Sequence, residues 1–174
     1  AASKSKLLII LDLNETLLLL YKKARGISIG GSDELLRTMK YDETISPFQV
    51  KYRGGRTLFL DSMFQTHQDK FEMAFGYTWK VGHTSDKHSY FGRYYRNLLF
   101  VLPTKREEYE GKAGKDNYHP IPIKRDLSQV FAKFPGYEEA NTFVVSGHPN
   151  IIEKYRTNDL LIPRYSPAQL AGSF

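Results

Sequence analysis

The sequence predicts an α/β fold, with a central, mostly parallel sheet flanked by helices. Three observations predict it. Leu7-Leu8-Ile9-Ile10-Leu11 is an unbroken aliphatic run that ends on Asp12. Phe71-Glu72-Met73-Ala74-Phe75-Gly76-Tyr77-Thr78-Trp79 alternates and is rich in aromatics. Asn141-Thr142-Phe143-Val144-Val145 is a third apolar stretch, running into the polar loop Ser146-Gly147-His148-Pro149-Asn150. Strands buried on both faces read as continuous hydrophobic runs, the habit of parallel sheets. Ligands of open α/β sheets sit outside the carboxyl ends of such strands, so Asp12 stands where a reactive carboxylate belongs. Asp12 and Asn14 equally suit a turn, because short polar side chains bond their own backbone.

The length of 174 residues predicts a single domain over 1–174, with 1–6 and 167–174 as frayed ends. Such a chain buries about two-thirds of its unfolded surface. There is no cysteine, which excludes disulfides and thiolate metal sites. No apolar run approaches the ~20 residues of a membrane span. The net charge of +6 and a pI near 9.4 suit an anionic partner, namely RNA, a phosphorylated or acidic peptide, or an anionic surface, without choosing among them. His67, His83, His88, His119 and His148 have no spacing that matches a zinc site.

In chain order, 21–41 reads as a glycine-bearing basic loop with at most a short helix from Asp33 to Met39, capped by Ser32 or Asp33. Leu58, Leu60, Met63 and Phe64 have the spacing of an amphipathic helix within Thr57–Lys70. Asp86–Asn97 reads as a helix, Leu98–Leu102 as a short strand closed by Pro103, and 110–118 as a surface loop. Tyr90, Phe91, Arg93, Tyr94, Tyr95 and Arg96 interleave rings and cations. That pattern fits a base-stacking surface, and it fits equally a helix with an aromatic core face and a basic outer face.

Asp12-Leu13-Asn14-Glu15-Thr16-Leu17 resembles the Asp-x-Asp-x-Thr/Val signature of the haloacid-dehalogenase superfamily. The form is that of its C-terminal-domain phosphatases, the small-CTD-phosphatase, TFIIF-associated and NLI-interacting-factor-like type. The resemblance implies a Rossmann-like fold, with Asp12 as the phosphoryl-accepting nucleophile and Asn14 in the place of the general acid/base. Three further pieces follow in order. Tyr77-Thr78 resembles the end of the second core strand and makes Thr78 the phosphate-binding hydroxyl, with Thr84 as the rival. Lys124-Arg125-Asp126-Leu127-Ser128 is similar to a Val-Lys-Asp-Leu-Ser stretch, which implies that Lys124 and Arg125 bind phosphate. Ser146-Gly147-His148-Pro149 stands where the family carries Asp-Asp-Ser-Pro or Asp-Asn-Ser-Pro, whose acids hold Mg²⁺. Arg53-Gly54-Gly55 is similar to an Arg-Pro-Gly segment that has lost its proline, and Leu160–Tyr165 resembles the closing strand.

The departures bear on chemistry. Asn14 carries an amide and transfers no proton at neutral pH. Ser146, Gly147 and His148 bring no carboxylate to a hard ion that prefers oxygen ligands, and imidazole is a poor substitute. The expectation is therefore a pseudophosphatase with no resident cofactor. It would serve as a protein-binding scaffold in a larger assembly, as do members of the resembled family that have lost these acids, such as the receptor subunit of the mitochondrial presequence translocase. The alternatives are a Mg²⁺-dependent phosphoprotein phosphatase with Asp12 as nucleophile, and an RNA- or ribonucleoprotein-associated structural protein. Each fits an intracellular setting, mitochondrion or nucleus.

Overall fold

The computed structural model describes residues 6–13, 15–22, 38–45, 48–76, 91–102, 127–147 and 158–166. Among these, five strands form one parallel sheet, β1 (Leu7–Asp12), β5 (Phe71–Gly76), β6 (Val101–Leu102), β7 (Thr142–Ser146) and β8 (Asp159–Leu161), in the order β6-β5-β1-β7-β8. β1 is the central strand. It runs beside β5 from Leu7 against Phe71 to Asp12 against Gly76, and beside β7 from Leu8 against Thr142 to Leu11 against Val145.

Alternation along β1 feeds two cores, because successive side chains point to opposite faces. Leu8 and Ile10 pack with Ala74, Val144, and with Leu127 and Val130 at the start of the helix Ser128–Lys133. Leu11 packs on the other face with Met73, Phe75 and the helical residues Leu60, Met63 and Phe64. Fully burying a side chain of this size stabilises the fold by about 1.5–3 kcal/mol. A sheet covered on both faces thus explains why its central strand is apolar from Leu7 to Leu11 rather than alternating.

The helix anticipated over Thr57–Lys70 is shorter and of two kinds. An α-helix covers Arg56–Asp61, starting after Gly55 in the left-handed region at φ 78°, and a π-helical turn continues it over Ser62–Thr66. The His67 amide closes the π turn by donating to the Ser62 carbonyl at 2.9 Å. The helix anticipated up to Asn97 is α-helical at Phe91 and closes as a 3₁₀ turn over Gly92–Asn97. The strand anticipated over Leu98–Leu102 pairs regularly only at Val101–Leu102.

A second sheet was not anticipated. β2 (Leu18–Lys22), β3 (Glu43–Ile45) and β4 (Phe48–Tyr52) form an antiparallel sheet in the order β2-β4-β3. Leu18 of β2 and Val50 of β4 are fully buried in the same core as Leu11 and Phe75, so this sheet seats against the main one. The aromatic–basic cluster resolves in favour of the core. Phe91 lies 3.8 Å from Phe75 by ring centroids, and Tyr94 stacks on Phe64 at 4.9 Å. Phe91 and Tyr94 are buried, which removes both from any base-stacking surface, while Arg93 and Arg96 are exposed.

Candidate functional site

Asp12 is the last residue of the central strand, and Ser146 is the last residue of its neighbour β7. Since Leu11 lies against Val145, the parallel register carries Asp12 and Ser146 to adjacent strand tips. Both are buried, at 1% and 2% exposure. A buried carboxylate must be hydrogen-bonded. Asp12 Oδ1 accepts from the Leu13 amide at 2.9 Å. Its Oδ2 accepts from Ser146 Oγ at 2.9 Å and, more loosely, from Thr16 Oγ1 at 3.4 Å. The Gly147 amide in turn donates to Thr16 Oγ1 at 2.9 Å. A short relay of hydrogen bonds thus ties both strand tips to the loop after β1.

That loop turns tightly. The amides of Thr16, Leu17 and Leu18 all point to the Leu13 carbonyl, at 3.3, 3.0 and 3.3 Å. Glu15 sits at the turn with φ 58°, the one described non-glycine residue in the left-handed region, which side chains seldom adopt. It is held from outside. Its carboxylate, 5% exposed, receives the Arg164 guanidinium through Nε at 2.6 Å and Nη2 at 2.5 Å. Its carbonyl receives the Tyr165 amide at 2.7 Å.

Gly147 packs against the same turn so closely that a Cβ there would stand 2.6 Å from the Glu15 carbonyl oxygen and 3.0 Å from the Arg164 Cα. Arg53 completes the enclosure. Its Nη1 donates to the carbonyls of Thr16 and Pro163, both at 3.0 Å, and its guanidinium lies over the Tyr165 ring at 5.7 Å. The Tyr165 hydroxyl donates to the Tyr52 carbonyl at 3.0 Å, and burial pushes its pKa above the usual tyrosine value.

Of the residues singled out in the sequence, the fold brings Asp12, Ser146 and Gly147 together. Asn14, Thr78, Lys124, Arg125 and His148, with the rival Thr84, lie outside the described residues. β5 ends at Gly76, level with Asp12, so Thr78 follows that strand tip by two positions. Glu15, Thr16, Arg53, Arg164 and Tyr165 had no functional reading in the sequence. Glu15 and Thr16 lie inside the Asp12 motif itself, and Arg53 heads the Arg-Gly-Gly segment, so a signal was present for those three. Arg164 and Tyr165 lie in the stretch that resembles the closing strand, which assigns neither of them a role.

Among the described residues, the donors at this tip offer less than a Mg²⁺ site asks for. A hard ion of that size takes near-octahedral oxygen ligation, anchored on carboxylates. Asp12 provides one carboxylate. Ser146 turns its hydroxyl proton toward that carboxylate, Gly147 has no side chain, and the Glu15 carboxylate is engaged by Arg164. Among the described residues no three His, Asp or Glu side chains gather at one point.

The architecture is matched among solved structures. Fcp1, an essential RNA polymerase II CTD phosphatase, superposes over 93% of this chain with a TM-score of 0.55 and 14% identity. Fission yeast Fcp1, in an arginine-to-alanine variant bound to beryllium fluoride, superposes over 92% with a TM-score of 0.56, again at 14% identity. The chain shares the α/β fold of these CTD phosphatases, a central parallel sheet flanked by helices. At that identity the likeness is one of fold alone. The chain spans less than half the length of either structure, 43% and 42%. No family model and no curated protein sequence matches it. Among the described residues no helix is long and apolar enough to cross a membrane.

Proposed function

We propose that this chain is a phosphatase-fold binding module, which engages a protein partner within a larger assembly and does not turn over phosphomonoesters. The observation that carries the reading is the pairing of Asp12 with Ser146. Transfer of a phosphoryl group to a carboxylate needs a positioned nucleophile, cationic compensation on the phosphate oxygens, and a general acid. Asp12 has the position of the nucleophile. Its neighbour at the next strand tip is a neutral hydroxyl donor, and the residue two places on, Asn14, is an amide. General acid–base assistance alone typically contributes 10²–10⁴-fold. The fold is shared with enzymes that act on the RNA polymerase II CTD, and the charge of +6 favours an acidic or phosphorylated segment as the partner.

The test is p-nitrophenyl phosphate turnover with Mg²⁺, run beside Asp12→Ala. The expected rate of the native chain is no greater than that of the variant, and the chain forms no beryllium fluoride adduct at Asp12. Turnover that Asp12→Ala abolishes makes the chain a Mg²⁺-dependent phosphatase instead. For the binding half, capture from native lysate is expected to retain a protein complex that survives nuclease. Retention lost on nuclease treatment, with steep salt dependence, gives the ribonucleoprotein reading the advantage.

A further inference from the structure

We infer that the Ser146 hydroxyl occupies, beside Asp12, the place that a hard divalent cation would need, so that this cleft operates without a cation and Ser146→Asp opens it to one. The inference takes from the proposed function only the assignment of Asp12 as the position of interest; it does not depend on whether the chain turns over substrate.

Four observations carry it. First, Ser146 Oγ lies 2.9 Å from Asp12 Oδ2 and both residues are buried, so the hydroxyl fills the space against that oxygen. Second, the polarity is that of a donor. The serine proton faces the carboxylate and supplies part of the positive potential that a metal would supply there. Third, the only other described carboxylate of the loop, Glu15, accepts the Nε and Nη2 of Arg164 on its Oε2, so its charge is already compensated. Fourth, none of the four residues that follow Ser146 in the sequence, Gly147, His148, Pro149 and Asn150, is an Asp or a Glu. Neighbouring parallel strands lie about 4.8 Å apart. A carboxylate introduced at 146 therefore stands beside that of Asp12. Without a cation the two repel, and one of them holds its proton. With a cation they share it.

The experiment uses the full chain, with Mn²⁺ as a spectroscopic probe by electron paramagnetic resonance and Mg²⁺ in thermal unfolding. The native chain is expected to bind no Mn²⁺ through Asp12 and to shift its Tm by less than about 1 °C in Mg²⁺. Ser146→Asp is expected to melt several degrees lower in EDTA. It then regains about 5–10 °C at a hundredfold excess of Mg²⁺ over its dissociation constant. It also binds one Mn²⁺ per chain, lost when Asp12→Ala is added. A native chain that binds Mn²⁺ in an Asp12-dependent way overturns the inference, as does a folded Ser146→Asp that binds none. Should Ser146→Asp not fold, Mn²⁺ binding by the native chain against Asp12→Ala decides alone. Mn²⁺ binding without turnover sinks this inference and leaves the binding-module reading in place. Turnover in EDTA that Asp12→Ala abolishes does the reverse.

Discussion

Asp12 and Glu15 lie three residues apart in one loop, both buried, and the protein holds them by opposite means. The described partners of Asp12 are two hydroxyls and a backbone amide. Hydroxyls rotate, and each can donate or accept. Glu15 Oε2 receives two nitrogens of an arginine brought from 149 residues away. A guanidinium only donates, and it stays charged. The first arrangement is adaptable and sits at the strand tip where ligands of this fold class bind. The second is rigid, and it clamps the left-handed turn that aims the loop. Reactivity and architecture are thus divided between neighbouring carboxylates, and each half of that division can be broken separately.

The largest effect falls on the rigid side. Gly147→Ala is expected to cost about 3 kcal/mol in urea denaturation, the upper end of overpacking costs. The new Cβ meets the Glu15 carbonyl oxygen at 2.6 Å, a backbone atom that moves only if the turn moves. A cost under about 1 kcal/mol would mean that the turn yields freely and that the clamp is loose. Next comes Glu15→Gln, expected to cost about 2 kcal/mol. The amide oxygen can take both Arg164 bonds, which converge on one oxygen, but the guanidinium loses its opposite charge. Removing one partner of a fully buried pair costs about 3–5 kcal/mol, and the smaller figure follows because the Arg164 side chain is 48% exposed and water takes over part of its solvation.

Much of the main sheet was legible because its strands are buried on both faces. Burial on both faces writes an unbroken apolar run into the sequence, as in Leu7–Leu11, and the end of the run marks the strand tip. The ends of two such runs mark Asp12 and Ser146 as strand tips, and it is the resemblance to the phosphatase signature that puts Asp12, Ser146 and Gly147 in one site. The small sheet was hidden by its neighbours. Leu18–Leu20 reads as a continuation of the Asp12 motif, and Phe48–Tyr52 is only five residues of alternation. The π turn at Ser62–Thr66 leaves no mark in apolar spacing, since Met63 and Phe64 satisfy either helix type. The clamp was invisible for a different reason. Arg164 is an ordinary basic residue beside Pro163, and its value comes from a partner on the far side of the sequence. Local pattern carries no information about such a pair. Gly147 was visible as part of a loop, but the reason it is glycine lies in the approach of the Glu15 carbonyl, which the fold alone reveals.

The smallest effect tests the other half of the division. Asp12→Asn is expected to change stability by less than about 1 kcal/mol. The amide oxygen can keep the Leu13 N–H that Oδ1 now accepts at 2.9 Å. The amide nitrogen then faces Ser146 Oγ and Thr16 Oγ1, both of which can turn and accept. What is lost is the extra strength of bonds to a charge, and what is gained is relief from holding a charge in a buried place; these have opposite signs and comparable size. Glu15→Gln gains less: its amide oxygen can keep both Arg164 bonds, which converge on Oε2, but the guanidinium stays charged and loses its counter-charge. The two variants make the same chemical change three residues apart, so composition, helix content and unfolded-state charge cancel between them. If Asp12→Asn proves the costlier, the strand-tip carboxylate is the keystone of the loop, the hydroxyls around it are fixed rather than adaptable, and the division drawn between the two residues is inverted.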